Sequence, residues 1–315
     1  MTTTNPGTVL ITGPTGGLGR AAASAMASRP APERPDLLLV GRAGEALTQV
    51  ADDAQAAGAT VRAIGCDLAR LADVRAAAET AKELLDTGAA RPLRGLVANA
   101  GVMVKDTRSA SADGYELTFA VNYLAHAQLI ADLLKSFAAP ARIVLLGSNT
   151  YHANLGRKMI GVQPAQWLDP IELAQPAPAD TSPSIKAMGV AYSNSKLAIL
   201  YYAHELQRQA PAGISVAVFE PGVMPGTGLG RQAGPAAERI GRGIQRLPGI
   251  ASPARSGPDL ASVVLDERWA HLRDGAFVVR DKERDVKPIA HDPERERRLW
   301  DVTTELLQTA TRADS

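Results

Sequence analysis

Four side chains in this sequence are of the types that proton transfer to an oxygen requires, and spacing ties two of them together. Tyr192 and Lys196 stand four positions apart in Ala191-Tyr192-Ser193-Asn194-Ser195-Lys196-Leu197-Ala198, an apolar run that continues into Ile199-Leu200 and reads as helix. On a helix, residues i and i+4 are stacked neighbours. The Lys196 cation is therefore expected beside the Tyr192 oxygen, where it favours the ionised phenol. A free tyrosine titrates near pH ~10, and each unit of downward shift represents about 1.4 kcal/mol of phenolate stabilisation. Proton exchange near neutrality needs such a neighbour. In isolation a pair with this spacing is more often a packed tyrosine and a solvated lysine, so its meaning depends on its company. Ser148 closes the strand-like run Arg142-Ile143-Val144-Leu145-Leu146-Gly147, where a hydroxyl either donates to a substrate oxygen or serves a turn. Asn122 interrupts the apolar Phe119-Ala120-Val121-Asn122-Tyr123-Leu124, a conflict with burial that a functional amide or a satisfied buried one would resolve.

The elements that must carry these groups alternate along the chain. Thr8-Val9-Leu10-Ile11 is a β-rich run that breaks into Thr12-Gly13-Pro14-Thr15-Gly16-Gly17-Leu18-Gly19 before the alanine-rich 20–28. Strand, glycine loop and helix in that order let backbone N–H groups approach a pyrophosphate at a helix N-terminus. Asp36 to Val40 reads as a second strand ending at Gly41-Arg42. An acidic residue there would bind a ribose 2′-OH, whereas an arginine suits a 2′-phosphate. Arg42, with Arg20 as a second cation, therefore favours NADP(H) over NAD(H), against the plainer reading of a solvated loop charge. Thr60 to Cys66 is a third strand, running into Asp67-Leu68, and Asp67 could accept from an adenine amino group, cap the next helix, or both. Leu93 to Ala98 is a fourth strand leading to Asn99-Ala100-Gly101, whose small residues let the chain pass close to a ligand. One amphipathic helix is expected from Gly114 to Phe137, ended by Pro140, before the Ser148 strand.

Residues 149–190 are crowded with proline and read as an insertion on the sheet's active edge, either a flap or a surface loop. A sixth strand, Ile214 to Phe219, ends in Glu220-Pro221-Gly222, and the glycine-, proline- and arginine-rich 223–258 follows as an expected substrate lid. Gly257-Pro258 is expected to open a helix through Trp269, Gly275 to Val279 to be the seventh and last strand, and Asp292-Pro293 to start a closing helix. Together these predict an α/β protein, a single doubly wound Rossmann fold over 1–315 with a mostly parallel seven-stranded sheet and helices on both faces.

Composition narrows the function. The 315 residues are 45% hydrophobic and 21% charged with a net charge of +1, which supplies a core and no electrostatic footprint for nucleic acid or an anionic membrane. The single cysteine, Cys66, rules out an intrachain disulfide, and the histidines at 126, 152, 204, 271 and 291 show no paired ligand spacing, so no metal is assigned. The expectation is a soluble, cytoplasmic protein acting on a small molecule. A homo-oligomer is left open, because a dimerising helix face reads like any amphipathic one.

In order, these signals resemble the short-chain dehydrogenase/reductase family over nearly the whole chain. The matching residues are Thr12-Gly13-x-x-x-Gly17-x-Gly19, Asp67, Asn99-Ala100-Gly101, Asn122, Ser148, Tyr192-x-x-x-Lys196 and Pro221-Gly222 with Thr227. Gly13, Gly16 and Gly19 also fit the spacing of the family's extended branch, but Asn99-Ala100-Gly101 and the C-terminal length favour the shorter reductases. The segment around Tyr192, the long gap before it, Pro221 to Arg231 and the ending at Leu299-Trp300 are similar to the retinol dehydrogenase and light-dependent protochlorophyllide reductase subgroups.

The resemblance implies hydride transfer between a nicotinamide and a substrate carbon, with Tyr192 exchanging the proton and Ser148 holding the oxygen. It also implies that Lys196 binds the nicotinamide ribose and that Asn122 anchors a water leading from Lys196 to solvent. Cofactor contacts are implied for Gly13, Thr15, Gly16, Gly17, Leu18, Gly19, Arg42, Asp67, Leu68, Asn99, Ala100, Gly101, Tyr192, Lys196, Pro221, Gly222, Val223 and Thr227. Thr227 lies one residue beyond the commonest family spacing. The light-dependent enzymes are associated with cysteines near the substrate, and Cys66 on the third strand does not match them. The activity so implied interconverts a carbonyl and an alcohol; a silent NADP(H)-binding sensor and a reductase of conjugated C=C bonds are the alternatives.

Overall fold

The structure is a computed structural model and describes residues 6–152, 163–222, 224 and 251–313. Its first half alternates as β1 (Thr8–Thr12), α1 (Gly17–Ala27), β2 (Asp36–Gly41), α2 (Glu45–Ala56), β3 (Val61–Gly65), α3 (Leu71–Asp86) and β4 (Leu93–Ala98). Next comes α4, an α turn at Leu117–Phe119, a π-helical stretch at Ala120–Leu124 and an α segment at Ala125–Leu133, then β5 (Phe137–Leu146). The short α5 (Pro170–Leu173), α6 (Ile185–Gln209), β6 (Ile214–Glu220), α7 (Pro253–Leu265), β7 (Ala276–Val279), β8 (Lys282–Arg284) and α8 (Pro293–Ala313) complete it.

One sheet runs through all of these strands in the order β3-β2-β1-β4-β5-β6-β7-β8. Every pairing is parallel except β7 with β8. The strands carry continuous apolar runs because both faces are covered: Val9 and Ile11 of β1 enter the core beneath α1, α2 and α7, while Leu10 enters the core beneath α3, α4 and α6. Strand order reverses between β1 and β4, and at such a switch the carboxyl ends of two neighbouring strands open a crevice.

The doubly wound class agrees with expectation, and several boundaries do not. Among the described residues the sheet has eight strands rather than seven. β8 is exposed along its length and carries no apolar alternation, so nothing in its composition announces it. β5 begins at Phe137, not after Pro140. Phe137 pairs with Leu93 and Arg142 with Gly95, so Pro140 sits where the ladder is interrupted and no N–H is needed. The Tyr192 helix starts at Ile185, capped by Ser184, whose Oγ accepts from the N–H groups of Lys186 and Ala187; the insertion therefore ends at 184. α7 begins at Pro253, leaving Pro258 inside it, so the expected lid keeps only residues ahead of 253. Gly257 lies against α1, where a Cβ would come 2.5 Å from Ala21 Cβ, and its missing side chain lets the two helices touch.

The stretch Leu117–Ser136 is long and apolar enough by composition to cross a membrane, but it is mostly buried here as a core helix. α8 closes that layer. Trp300 stacks on Tyr202 with centroids 5.5 Å apart, and the Tyr123 hydroxyl meets Thr303 Oγ1 at 2.6 Å.

Candidate active site

The glycine turn leaves β1 at Thr12 and is shaped by its neighbours. Asn99 donates from Nδ2 to the carbonyls of Thr12 and Gly13 at 2.9 and 3.1 Å. Gly13 has φ +64, and a Cβ on Gly19 would fall 2.2 Å from the Gly13 oxygen, so the close passage of turn and helix requires glycine at both. Gly16 and Gly17 have the opposite surroundings: a Cβ on either meets nothing within 4 Å. α1 also has no side-chain cap and no acid in its first turn, whereas α8 is capped by Asp292 and followed by Glu294 and Glu296. Uncapped N–H groups facing open space at a positive helix end suit an anion such as a diphosphate.

Arg42 lies exposed at the end of β2, with no acid at the 2′-OH position. The Arg20 guanidinium pairs with the exposed Asp53 of α2 at 2.8 Å. Asp67 is exposed and closes a turn by accepting the Ala69 N–H at 3.0 Å, while Leu68 is buried in the core. The first turn of α3 is capped instead by Asp113, which accepts the Leu71 N–H at 3.0 Å.

Asn122, Lys196, Tyr192 and the end of β5 converge. Lys196 is 2% exposed, donates from Nζ to the Leu146 carbonyl at 2.7 Å, and lies over the Tyr192 ring at 5.5 Å from its centroid. Burial pulls the amine down to about 7. The expected cation beside a phenol is thus an amine whose charge is marginal at neutral pH. A Cβ on Gly101 would lie 3.2 Å from Asn122 Oδ1 and 4.0 Å from Lys196 Nζ, so these three meet. The Asn122 carboxamide is engaged by the chain itself: Oδ1 accepts the Val102 N–H at 2.7 Å, and Nδ2 donates to the Val102 carbonyl and to Ser195 Oγ, both at 3.0 Å. Ser148, half-buried two residues beyond Leu146, makes only a long 3.4 Å contact from the Thr150 N–H to its Oγ among the described residues, which leaves its hydroxyl proton for a ligand. Past β6, the Pro221 carbonyl accepts from Ser256 Oγ at 2.8 Å, and Gly222, at φ +89, passes close to Ala251. Val223, Thr227 and the lid arginines 231, 239, 242 and 246 lie outside the described residues.

Several residues that the sequence left without a role complete the site. Between Tyr192 and Lys196, Ser193 Oγ donates to the Gln163 carbonyl at 2.6 Å and Asn194 Oδ1 accepts the Gln166 N–H at 2.8 Å, so α6 clasps the insertion. Ser195 Oγ donates to the Tyr192 carbonyl at 2.7 Å. The spacing i+1, i+2 and i+3 after a tyrosine carries no such signal, because the partners belong to a segment without periodicity. Cys66 is buried at the far side of the sheet and its thiol is pushed up to about 12 by burial, which makes it a poor nucleophile. Histidines do converge away from this site, contrary to their spacing in the chain: ligand atoms of His204, His291 and Glu296 lie within 4.8 Å of one another. There Glu296 binds His204 Nδ1 at 2.7 Å and accepts from Arg208 at 2.6 Å, so hydrogen bonding accounts for the cluster.

The family model described as short chain dehydrogenase matches residues 7–157. Protochlorophyllide reductase A, chloroplastic, of Oryza sativa subsp. japonica is 30% identical over 328 residues, covering 97% of this chain and 81% of that one. Retinol dehydrogenase 13 of Mus musculus is 30% identical over 318 residues, covering 98% and 86%. Among solved structures, a short chain dehydrogenase from Burkholderia cenocepacia J2315 in complex with NADP has a TM-score of 0.62 at 20% identity, covering 88% of this chain and 97% of that chain.

Proposed function

The chain belongs to the short-chain dehydrogenase family, and from that premise we propose that it is an NADP(H)-dependent oxidoreductase that interconverts a carbonyl and an alcohol on a small molecule. The observation that carries this reading is the convergence of Lys196, Tyr192, Asn122 and Gly101 on the end of β5 that also bears Ser148. A binding module needs no proton donor, so this set argues for chemistry over a silent sensor. The glycine turn, with Gly16 and Gly17 facing open space, fits a diphosphate, and Arg42 at the end of β2 fits a 2′-phosphate. The β3 to β5 ends cross four inter-strand gaps of about 4.8 Å, roughly 19 Å, a reach that suits an extended dinucleotide.

The bound nicotinamide would supply or accept the hydride at its C4. Tyr192 gives the proton to the substrate oxygen in reduction and takes it back in oxidation. Ser148 donates a hydrogen bond to that oxygen, fixed before charge develops on it. Lys196, when protonated, lowers the energy of the phenolate left on Tyr192 and replenishes its proton. Asn122 locks Gly101 and Val102 against α6, so the loop after β4 cannot drift from the reacting groups.

The similarity to protochlorophyllide reductases favours one second reading, reduction of a C=C bond conjugated to a carbonyl by the same groups. Incubating the protein with NADPH and a panel of ketones, aldehydes and enones, with products identified by mass and NMR, tests both. Alcohol products support the first reading and saturated ketones the second. NADPH bound without turnover of any member refutes both in favour of a sensor.

A further inference from the structure

His126 lies behind Asn122 in this site, and no step above uses it. It is 2% exposed, on α4 four residues beyond Asn122. Its Nε2 lies 2.9 Å from Thr12 Oγ1 and its Nδ1 lies 3.1 Å from the Asn122 carbonyl oxygen. The direction of these bonds follows from valence. A threonine hydroxyl has two acceptor positions and one proton. The N–H groups of Asn99 and Ala100, each at 3.0 Å, occupy both acceptor positions of Thr12 Oγ1. Its proton therefore goes to His126 Nε2, the ring proton sits on Nδ1, and Nδ1 donates to the Asn122 carbonyl.

We propose that His126 is a positioning residue of the catalytic centre, protonated on Nδ1 alone, that fixes the turn of α4 bearing Asn122 to the base of the glycine turn. This rests on the functional reading above. The chain of donors runs one way, from the Thr12 hydroxyl to His126, from His126 to the Asn122 carbonyl, from Asn122 Nδ2 to Ser195 Oγ, and from Ser195 to the Tyr192 carbonyl. It joins the strand end that shapes the diphosphate cradle to the backbone of the proton donor. The backbone of α4 is adapted to it: residues Ala120–Leu124 are π-helical, with the Ala125 N–H reaching the Ala120 carbonyl. Such a bulge breaks the usual i to i+4 ladder and is a local distortion that side-chain bonds can hold in place. An imidazolium would point a second N–H at the Thr12 proton, so the geometry excludes it. Burial, with a smaller contribution from the nearby Lys196, outweighs the bond to the Asn122 carbonyl and pulls the ring down to about 4.

The test uses the full chain labelled with 15N-histidine, alongside His126→Gln, whose carboxamide also offers one donor and one acceptor, and His126→Phe, which offers neither. In the wild type, the imidazole signal missing from both variants should report Nδ1–H and unprotonated Nε2, unchanged from pH 5.5 to 8. Turnover of a carbonyl found in the panel should fall about 10- to 100-fold in His126→Phe, as expected for misplacement of reacting groups by about 1 Å. NADPH affinity should change far less, His126→Gln should recover most of the rate, and the pH profile of its rate should match the wild type. Opposite protonation of the ring, titration within that pH range, or equal losses in both variants that track their melting temperatures would overturn the proposal. Absence of turnover in the wild type would instead refute the functional reading, and the 15N signals would still decide whether the Thr12, His126 and Asn122 linkage exists.

Discussion

Replacing Lys196 with methionine removes a charge that the fold buries almost completely, and the structure sets the sign of the result. Desolvation moves the Lys196 amine from 10.5 to about 7, so the unfolded chain binds more protons than the folded one between those values. Stability from this group therefore rises as pH increases from about 7 to 10.5 and is lowest below 7, where the folded protein must carry the buried charge. The shift corresponds to a penalty on the order of 5 kcal/mol at pH 6, falling to about 2 kcal/mol at pH 9. Methionine matches the length of the stem but leaves the Leu146 carbonyl without its donor, which costs about 1–3 kcal/mol. Lys196→Met should thus be inactive yet more stable than the wild type by on the order of 2–4 kcal/mol at pH 6, with about 3 kcal/mol of that advantage gone by pH 9. Urea denaturation of both proteins at pH 6, 7.5 and 9 measures it. A variant no more stable at pH 6, or one whose difference does not change with pH, would mean that the amine is compensated and the desolvation argument is wrong.

Other substitutions probe the cofactor and substrate edges. Arg42→Ala should raise the KM for NADPH by about 10-fold, the value of one lost charge-assisted pair of about 1.4 kcal/mol, while leaving the KM for NADH nearly unchanged. Equal effects on both cofactors would remove Arg42 from the 2′-phosphate. Gly19→Ala places a Cβ 2.2 Å from the Gly13 oxygen and 2.5 Å from Asn99 Nδ2, so NADPH binding measured by calorimetry should be lost while the far-ultraviolet dichroism is kept. Asn194→Ala frees the Gln166 N–H from α6 and should raise the substrate KM several-fold with little change in NADPH affinity; a shift in NADPH affinity alone would show that the insertion does not serve the substrate.

The sequence made the repeating units legible, because the central strands, covered on both faces, read as continuous apolar runs and the helices between them bury one stripe at a period of 3.6. It also singled out Asn122, Ser148, Tyr192 and Lys196, which the fold brings near the end of β5. What it hid were relations between distant positions. Thr12 and His126 are 114 residues apart, and only the folded chain reveals that the hydroxyl and the ring share a proton. Asn122 looked like a polar interruption; its partners are the backbone of Val102 and the hydroxyl of Ser195, neither of which periodicity can predict. Proline misled twice, because local punctuation was read as a boundary: Pro140 sits inside β5 where the ladder is interrupted, and Pro258 lies within α7. The charge of Lys196 was assumed from its residue type, and burial makes it conditional.

The central claim is that the Tyr192 hydroxyl, and not the surrounding pocket, supplies the proton. Tyr192→Phe removes one oxygen from a ring that remains packed at 7% exposure, so the fold and the glycine turn should be untouched. Single-turnover oxidation of NADPH with a ketone found in the panel, alongside calorimetric titration of NADPH, is the direct measurement. Binding within about twofold of the wild type and turnover reduced by at least about 10²-fold, the lower range for loss of a positioned acid, are the expected result. Turnover retained at the wild-type rate with cofactor bound would contradict it.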